Sequence, residues 1–126
     1  MSKYDDTLKE IETSMGIVPD FMKVLAEDVL IQEWPLMKKY VLGVSKIPAK
    51  YRELIGLSIA ANERCPYCTM FHTGVAQLNG ATEDEIQEIY FLASYTGRWS
   101  TMLFAQQYDL DKFAAEAAKI GAHLSK

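Results

Sequence analysis

The sequence predicts an all-α fold, because three of its features are typical of helices. Apolar residues recur three and four positions apart along most of the 126 residues, which places them on one face of successive helices. No segment combines sustained alternation of apolar and polar residues with hairpin turns, so no β-sheet is expected. Glycines and prolines often separate the periodic stretches, where helices end and begin. We expect one domain spanning residues 1–126.

The first third of the chain is predicted to contain three helical stretches. Residues 4–15 carry apolar side chains at helical spacing, and Gly16 offers a stop. Pro19 is expected to begin a second, short helix. Residues 29–44 are apolar and helical in composition, and Pro35 is expected to start, kink or break that helix because it lacks a backbone N–H.

The centre of the chain is predicted to form an antiparallel hairpin of two helices. Pro48 opens the first helix, and the Cys65-Pro66 pair restarts the chain into the second. The second helix is expected to continue to Asn79, with Gly80 just beyond its end. The inward face of the first helix is expected to carry Tyr51, Leu54, Ile55, Ser58 and Ala61.

Two or three further helices are predicted in the C-terminal part. Residues 82–85 form a capping box, which indicates a helix beginning there and running through Ala93. Gly97 is expected to separate that helix from the apolar stretch 99–108. An alanine-rich helix is expected from residue 111 to about residue 124.

Charge and hydropathy exclude some classes of partner and predict another. The 13 basic and 17 acidic residues give a formal charge of −4, which disfavours binding to nucleic acid phosphates. No apolar run approaches the roughly 18 residues of a membrane span, and the polar start of the chain carries no secretory signal, so a cytoplasmic location is expected. Apolar and aromatic residues between 86 and 110 cover more than one helix face, which predicts a homo-oligomer.

The only two cysteines, Cys65 and Cys68, form a C-x-x-C pair. Thiols are normally kept reduced in a cytoplasm, so a structural disulfide explains this pair poorly. The spacing is instead typical of a redox couple or of half a metal site. Two buried structural thiols, or a zinc site with His72 and Glu53 as further ligands, are the alternatives.

The predicted helix places Cys65, Cys68 and His72 on one face, at positions i, i+3 and i+7. With Pro66 at the first helical position, both sulfurs lie at the positive end of the helix dipole, which favours thiolate over thiol. His72 lies one turn beyond Cys68, where a neutral imidazole is able to accept the thiol proton directly or through a water. These residues therefore supply a nucleophile, a base and a resolving thiol.

Glu53 is a fourth candidate, because the predicted hairpin brings it level with His72. Counted from the turn at residues 62–64, Glu53 lies roughly 15 Å back and His72 roughly 13 Å forward at 1.5 Å per residue. A carboxylate at that level would orient the imidazole and stabilise its protonated form. The hydroxyl of Tyr67, between the cysteines, is a further candidate for a proton relay, and Gly56 and Gly74 are candidates for close approach of the two helices.

The spacing Glu-x11-Cys-x2-Cys-x3-His, from Glu53 to His72, resembles the carboxymuconolactone decarboxylase/AhpD-like family. The resemblance includes the stretch 51–57 before the cysteines, the stretch 74–86 after them and the stretch 18–21 upstream, so it covers residues from about 16 to 93. It implies an all-α fold assembled into trimers or hexamers. It also implies that this chain, like the alkylhydroperoxidase D branch, reduces peroxides with electrons from a dithiol partner.

The resemblance further implies roles for the individual residues. Cys68 would attack the peroxide, Cys65 would be the more exposed resolving thiol, and Glu53 and His72 would relay protons. Tyr67 stands where alkylhydroperoxidase D can carry a histidine, which is a departure from the family pattern. Helix-end electrostatics instead favour Cys65 as the thiol of lower pKa. Because its place one turn before His72 and the family resemblance both favour Cys68, we expect Cys68 to react with peroxide and Cys65 to exchange with the dithiol partner.

These observations predict a thiol-dependent oxidoreductase that reduces peroxides or disulfides through a cycle between Cys65 and Cys68. No bound cofactor is expected, since nothing in the sequence is typical of a flavin, nicotinamide or haem site, so an external thioredoxin-like or lipoyl dithiol would supply the electrons. One alternative is a non-catalytic module whose C-x-x-C binds metal or senses redox state. Another is a lyase of the carboxymuconolactone decarboxylase type, although that branch generally lacks the cysteine pair.

Overall fold

The computed structural model describes residues 1–126 and confirms the all-α prediction, since it contains helices and no β-strand. The chain separates into two compact units, residues 1–49 and residues 50–126. None of its helices is both long enough and apolar enough to cross a membrane. In chain order the elements are α1 (Lys3–Met15), α2 (Asp20–Lys23), α3 (Glu27–Met37), a π-helical turn (Lys38–Leu42), α4 (Ala49–Glu63), α5 (Pro66–Leu78), α6 (Glu83–Ala105) and α7 (Leu110–Leu124).

The first unit is a small helical cluster around a buried core. Gly16 ends α1 in the left-handed conformation at φ 85°, as its position in the sequence predicts. Pro35 lies inside α3 rather than ending it, and the helix continues to the π-helical turn three residues later. Trp34 Nε1 donates a 3.1 Å hydrogen bond to Glu10 and so ties α3 to α1. The core consists of Ile11, Met22, Leu30 and Trp34.

The second unit is built on the predicted hairpin of α4 and α5. The chain reverses at Arg64, whose φ of 57° lies in the left-handed region, and Cys65 then begins the return. Thr82 and Glu85 form the predicted capping box at the start of α6. The core between these helices consists of Leu54, Leu57, Ala76 and Ile86.

The predicted inward face of α4 is confirmed at Leu54 and wrong at Tyr51, Ile55 and Ala61, while Ser58 is half-buried. Tyr51 and Ile55 are about half exposed, whereas the buried residues of α4 are Glu53, Leu54, Leu57 and Ala60. Two neighbouring stripes of α4 carry apolar residues at helical spacing, so periodicity alone does not select between them. The buried stripe contains a glutamate. This glutamate lies inside because of its hydrogen-bond partners on α5 and α4 and not because of its hydropathy.

The predicted break at Gly97 is also wrong, since α6 runs without interruption through that residue. A glycine within a helix costs only about 1 kcal/mol relative to alanine, which the packing of a 23-residue helix readily offsets. Asn62 contributes to that packing by donating a 3.0 Å hydrogen bond from Nδ2 to the carbonyl of Ala93. Exposed on α6 are the large side chains of Tyr90, Phe91, Leu92, Tyr95, Trp99 and Phe104.

Candidate active site

The C-x-x-C pair lies at the N-terminus of α5, as the sequence predicts. Cys65 is the N-cap residue and Pro66 is the first residue of the helix. The backbone N–H of Cys68 donates a 3.2 Å hydrogen bond to Cys65 Sγ, which therefore caps one of the helix's free N–H groups. Both thiols are free rather than joined in a disulfide.

This geometry separates the pKa values of the two thiols. The hydrogen bond from the Cys68 backbone N–H, followed by that from the Cys68 thiol, lowers the pKa of Cys65 below its ordinary value. Because the Cys68 thiol donates to the Cys65 sulfur, and because some burial disfavours its charged form, the pKa of Cys68 is raised. At rising pH, Cys65 therefore ionises before Cys68.

The relative exposure of the two thiols is the reverse of what the family resemblance implies. Cys65 is half-buried, whereas Cys68 is exposed. The expectation that Cys65 is the more exposed thiol is therefore wrong for this chain. The physical reason is the tight turn, in which the Cys65 backbone N–H donates a 3.0 Å hydrogen bond to the carbonyl of Ala60 and holds the residue against the end of α4.

Cys65 nevertheless faces solvent through an open groove of about 940 Å³ in the second unit. Cys68 is not among the residues that line it. Apolar side chains from α4, α5 and α6 line the groove, while hydroxyl and amide groups on α5 supply polar lining. The apolar lining includes Leu57, Met70 and Tyr90, and the polar lining includes Thr69, Thr73 and Gln77.

The predicted contact between Glu53 and His72 is present. His72 Nδ1 lies 2.6 Å from Glu53 Oε2, and the Glu53 side chain is only 1% exposed. Because an ionised carboxylate accepts hydrogen bonds and does not donate them, this bond places a proton on Nδ1 of the imidazole. The other ring nitrogen, Nε2, makes no hydrogen bond to Glu53.

A third member of this cluster, Arg52, was missed by the sequence analysis. Arg52 Nε donates a 3.0 Å hydrogen bond to Glu53 Oε1, so the two carboxylate oxygens have different partners. Adjacent residues on a helix do not normally face each other, and so sequence spacing does not identify such a pair. The sequence does contain one indication of this pair: a basic residue stands next to an acidic residue that must be buried in order to contact His72.

At Gly56 the backbone of α4 packs directly against the His72 ring of α5. A Cβ at residue 56 would lie 2.6 Å from His72 Cε1 and 2.7 Å from both ring nitrogens. The predicted role of Gly56 in close helix approach is thus confirmed. The same prediction for Gly74 is wrong, since no atom lies within 4 Å of a Cβ built there.

The structure does not join all the predicted residues into one hydrogen-bonded set. His72 has Glu53 as its hydrogen-bond partner and has no hydrogen bond to either cysteine. The Tyr67 side chain is 83% exposed and its hydroxyl takes no part in the Glu53–His72 pair. No group of three or more His, Cys, Asp or Glu side chains is arranged to hold a metal ion, and so the four zinc ligands considered above are not gathered as a set.

The separation of the thiol pKa values predicts different pH profiles for alkylation. We expect Cys65 to reach half its maximal rate with iodoacetamide at a lower pH than an ordinary cysteine, because thiolate is the reactive form. The Cys68→Ser variant should retain much of this shift, since the backbone N–H that contributes most to it remains. In Cys65→Ser, the profile of Cys68 should move to lower pH, because the hydrogen bond to the Cys65 sulfur, which is the chief cause of the raised pKa of Cys68, is lost. Mass spectrometry of alkylated peptides measures both profiles, and coincident profiles in the unsubstituted protein would contradict the assignment.

A solved structure resembles this chain along most of its length. The crystal structure of an alkylhydroperoxidase AhpD core from Rhodospirillum rubrum ATCC 11170 matches with a TM-score of 0.75. The match covers 90% of this chain and 86% of the other at 20% sequence identity, which establishes a shared fold. A search of curated proteins finds no match.

A family model extends the comparison to the sequence itself. The model of the carboxymuconolactone decarboxylase family matches residues 32–108, a range that includes α4, α5, both cysteines, Glu53 and His72. On that match over more than half of its length, the chain belongs to the carboxymuconolactone decarboxylase family.

Proposed function

We propose that the chain is a thiol-dependent oxidoreductase that reduces peroxides or disulfides by cycling Cys65 and Cys68 between dithiol and disulfide. The observation that carries this proposal is the hydrogen bond from the Cys68 N–H to Cys65 Sγ at the start of α5. It stabilises a thiolate at a helix N-terminus, where the helix dipole also favours negative charge. The shared fold with an alkylhydroperoxidase core adds support at the level of the scaffold.

Cys65 is the first nucleophile in this proposal, although the resemblance to the family suggests Cys68. The pKa of Cys65 is lowered while that of Cys68 is raised, so Cys65 carries more of the thiolate near neutral pH. Cys65 also lines the groove, which gives a substrate room to approach its sulfur. Greater exposure of Cys68 does not offset these two factors, because the thiol form is a poor nucleophile.

With a disulfide substrate, the Cys65 thiolate attacks one sulfur and releases the other as a thiolate. Cys68 then loses its proton and attacks Cys65 Sγ, which closes the Cys65–Cys68 disulfide and releases the second substrate thiolate. With a hydroperoxide, the same thiolate attacks the terminal oxygen and breaks the O–O bond, which yields a sulfenic acid on Cys65 and an alkoxide that takes a proton from water and leaves as the alcohol. Cys68 condenses with that sulfenic acid and releases water. Either route transfers two electrons from the protein to the substrate.

An external dithiol completes the cycle. It attacks the Cys65–Cys68 disulfide through a mixed disulfide and leaves as a disulfide itself, which returns both cysteines to thiols. A thioredoxin-like protein or a lipoyl group has this chemistry. In the same proposal His72 accepts the Cys68 proton and returns it to a leaving group, while Glu53 holds the imidazole in place.

Thiol counting before and after one equivalent of substrate tests the proposed cycle. We expect the reduced, metal-free protein to lose two thiols per chain on exposure to an organic hydroperoxide or to a small disulfide, and to recover both with a dithiol. Mass spectrometry should locate the new bond between Cys65 and Cys68. The double variant Cys65→Ser/Cys68→Ser is the matched control and should consume neither substrate.

The outcomes separate the substrate classes and the alternatives. Loss of thiols with the hydroperoxide identifies peroxidase chemistry, and loss with the disulfide alone identifies a reductase. Unreactive thiols accompanied by one bound zinc per chain, in protein purified without chelator, would contradict the proposal in favour of a metal-binding module. Lactone decarboxylation that persists in the double cysteine variant would instead identify a lyase.

A further inference from the structure

We propose that Arg52 is a positioning residue that keeps His72 neutral, with its proton on Nδ1 and a free lone pair on Nε2. The inference rests on the proposed function for its catalytic consequence, since a neutral imidazole is needed to accept the Cys68 proton. The protonation of the His72 ring itself does not depend on that function. The geometry that carries it is a single buried carboxylate, Glu53, shared between a guanidinium on one oxygen and an imidazole on the other.

The buried carboxylate requires a positive partner. Glu53 is 1% exposed, and an ionised carboxylate that is removed from water is unfavourable unless it is paired and hydrogen-bonded. Two neighbours are able to provide the positive charge: Arg52 at 3.0 Å, and His72 at 2.6 Å if its ring is protonated. Glu53 is the only charged side chain in hydrogen-bond or ion-pair contact with the ring, which also packs against Gly56 and the edge-on ring of Phe71.

Arg52 supplies that charge permanently, because a guanidinium does not lose its proton in proteins. Its side chain is itself only 17% exposed, so its attraction for Glu53 is less screened than that of a surface pair. With the carboxylate already neutralised on Oε1, Oε2 needs only a hydrogen bond, which the Nδ1–H of a neutral ring provides. Without Arg52, the carboxylate would draw a second proton onto the ring and make His72 an imidazolium.

The protonation state of the ring decides whether His72 is able to act as a base. In the neutral tautomer Nε2 accepts the proton that leaves Cys68, the ring becomes an imidazolium, and the proton passes on to the leaving thiolate or hydroxide. An imidazolium in the resting state has no lone pair with which to begin this sequence. Arg52 therefore affects the reaction through Glu53 and His72 without touching the substrate.

Nitrogen-15 spectra of the histidine rings test the inference in the full chain, independently of turnover. At neutral pH we expect His72 of the unsubstituted protein to show the well-separated pair of ring nitrogen resonances of a neutral Nδ1–H tautomer. In Arg52→Gln the two resonances should converge, as they do when both nitrogens carry protons, and turnover should fall about ten-fold. Arg52→Lys keeps the positive charge and should retain the neutral tautomer.

The chain offers good controls for this experiment. His123 is the only other histidine and lies exposed near the end of α7, so its resonances should be the same in every variant. Arg98→Gln removes an exposed arginine of α6 and produces the same change in net charge, and it should leave the His72 resonances and the turnover unchanged.

The outcomes distinguish this inference from the proposed function. A folded Arg52→Gln variant whose His72 resonances match the unsubstituted protein would overturn the role of Arg52, even if the thiol cycle is intact. Converged resonances in a protein that shows no thiol cycle would support the role of Arg52 and overturn the proposed function. If Arg52→Gln does not fold, Arg52→Lys decides: a retained neutral tautomer supports the inference, and a protonated ring overturns it.

Discussion

We expect Cys65→Ser to lose turnover by at least about a thousand-fold, whereas Cys68→Ser should stop after half a cycle with the substrate attached to Cys65. The reason is the order in which the two thiols ionise: the pKa of Cys65 is lowered by the Cys68 N–H, and this N–H is still present when the Cys68 side chain is replaced. Incubation of Cys68→Ser with a small aromatic disulfide, followed by peptide mass spectrometry, measures the trapped mixed disulfide.

The chain contains only two cysteines, so the position of any adduct in a single variant is unambiguous. In the matched variant Cys65→Ser, the remaining thiol has no backbone N–H that lowers its pKa and does not line the groove, so it should form adducts more slowly near neutral pH than Cys65 does in Cys68→Ser. With hydroperoxide, the sulfenic acid should likewise form on Cys65 of Cys68→Ser. Rapid adduct or sulfenic acid formation on Cys68 of Cys65→Ser, with Cys65 of Cys68→Ser unmodified, would restore the order that the family resemblance implies.

We expect Gly56→Ala to damage the site and the fold together. The added methyl group would lie 2.6–2.7 Å from three atoms of the His72 ring, and the ring is held in place by the 2.6 Å bond to Glu53. To relieve the overlap, either the ring shifts and breaks that bond or α4 and α5 move apart. We expect the free energy of unfolding to fall by about 1–3 kcal/mol. Turnover should fall about 100-fold, because the imidazole no longer lies where the proton is transferred.

Gly121→Ala is the control for this substitution. Gly121 also lies within a helix, α7, but no atom lies within 4 Å of a Cβ built there. This variant should be more stable by about 0.5–1 kcal/mol and should retain full turnover, because alanine favours the helix. Urea unfolding gives both free energies. Equal stabilities and equal turnover for the two alanine variants would show that His72 does not need the space above Gly56.

Much of the fold and half of the candidate site are predictable from short-range features of the sequence. The capping box of Thr82, the left-handed Gly16 and the position of Pro66 just inside α5 are set by interactions within a few residues. For the same reason the placement of Cys65 as the N-cap, one turn before Cys68, was predictable. The level of Glu53 beside His72 followed from helix rise alone.

Tertiary packing decided the features that local rules do not reach. Periodicity identified α4 as a helix but not which stripe faces inward, because both stripes carry apolar residues at helical spacing and only contacts with α5 and α6 distinguish them. Likewise α6 continues through Gly97, since packing along a long helix outweighs the small local cost of one glycine.

The sequence alone thus determined the helices, their ends and the thiol pair at the start of α5, because these depend on neighbours along the chain. Only the tertiary structure decided that Glu53 is buried, that Arg52 binds its other oxygen, and that Cys65 rather than Cys68 faces the groove. The burial of Glu53 and the access to Cys65 depend on residues brought together from separate helices, and the bond from Arg52 depends on how two neighbouring side chains are oriented once α4 is packed. The charge and the accessibility of a side chain follow from these surroundings rather than from its own identity.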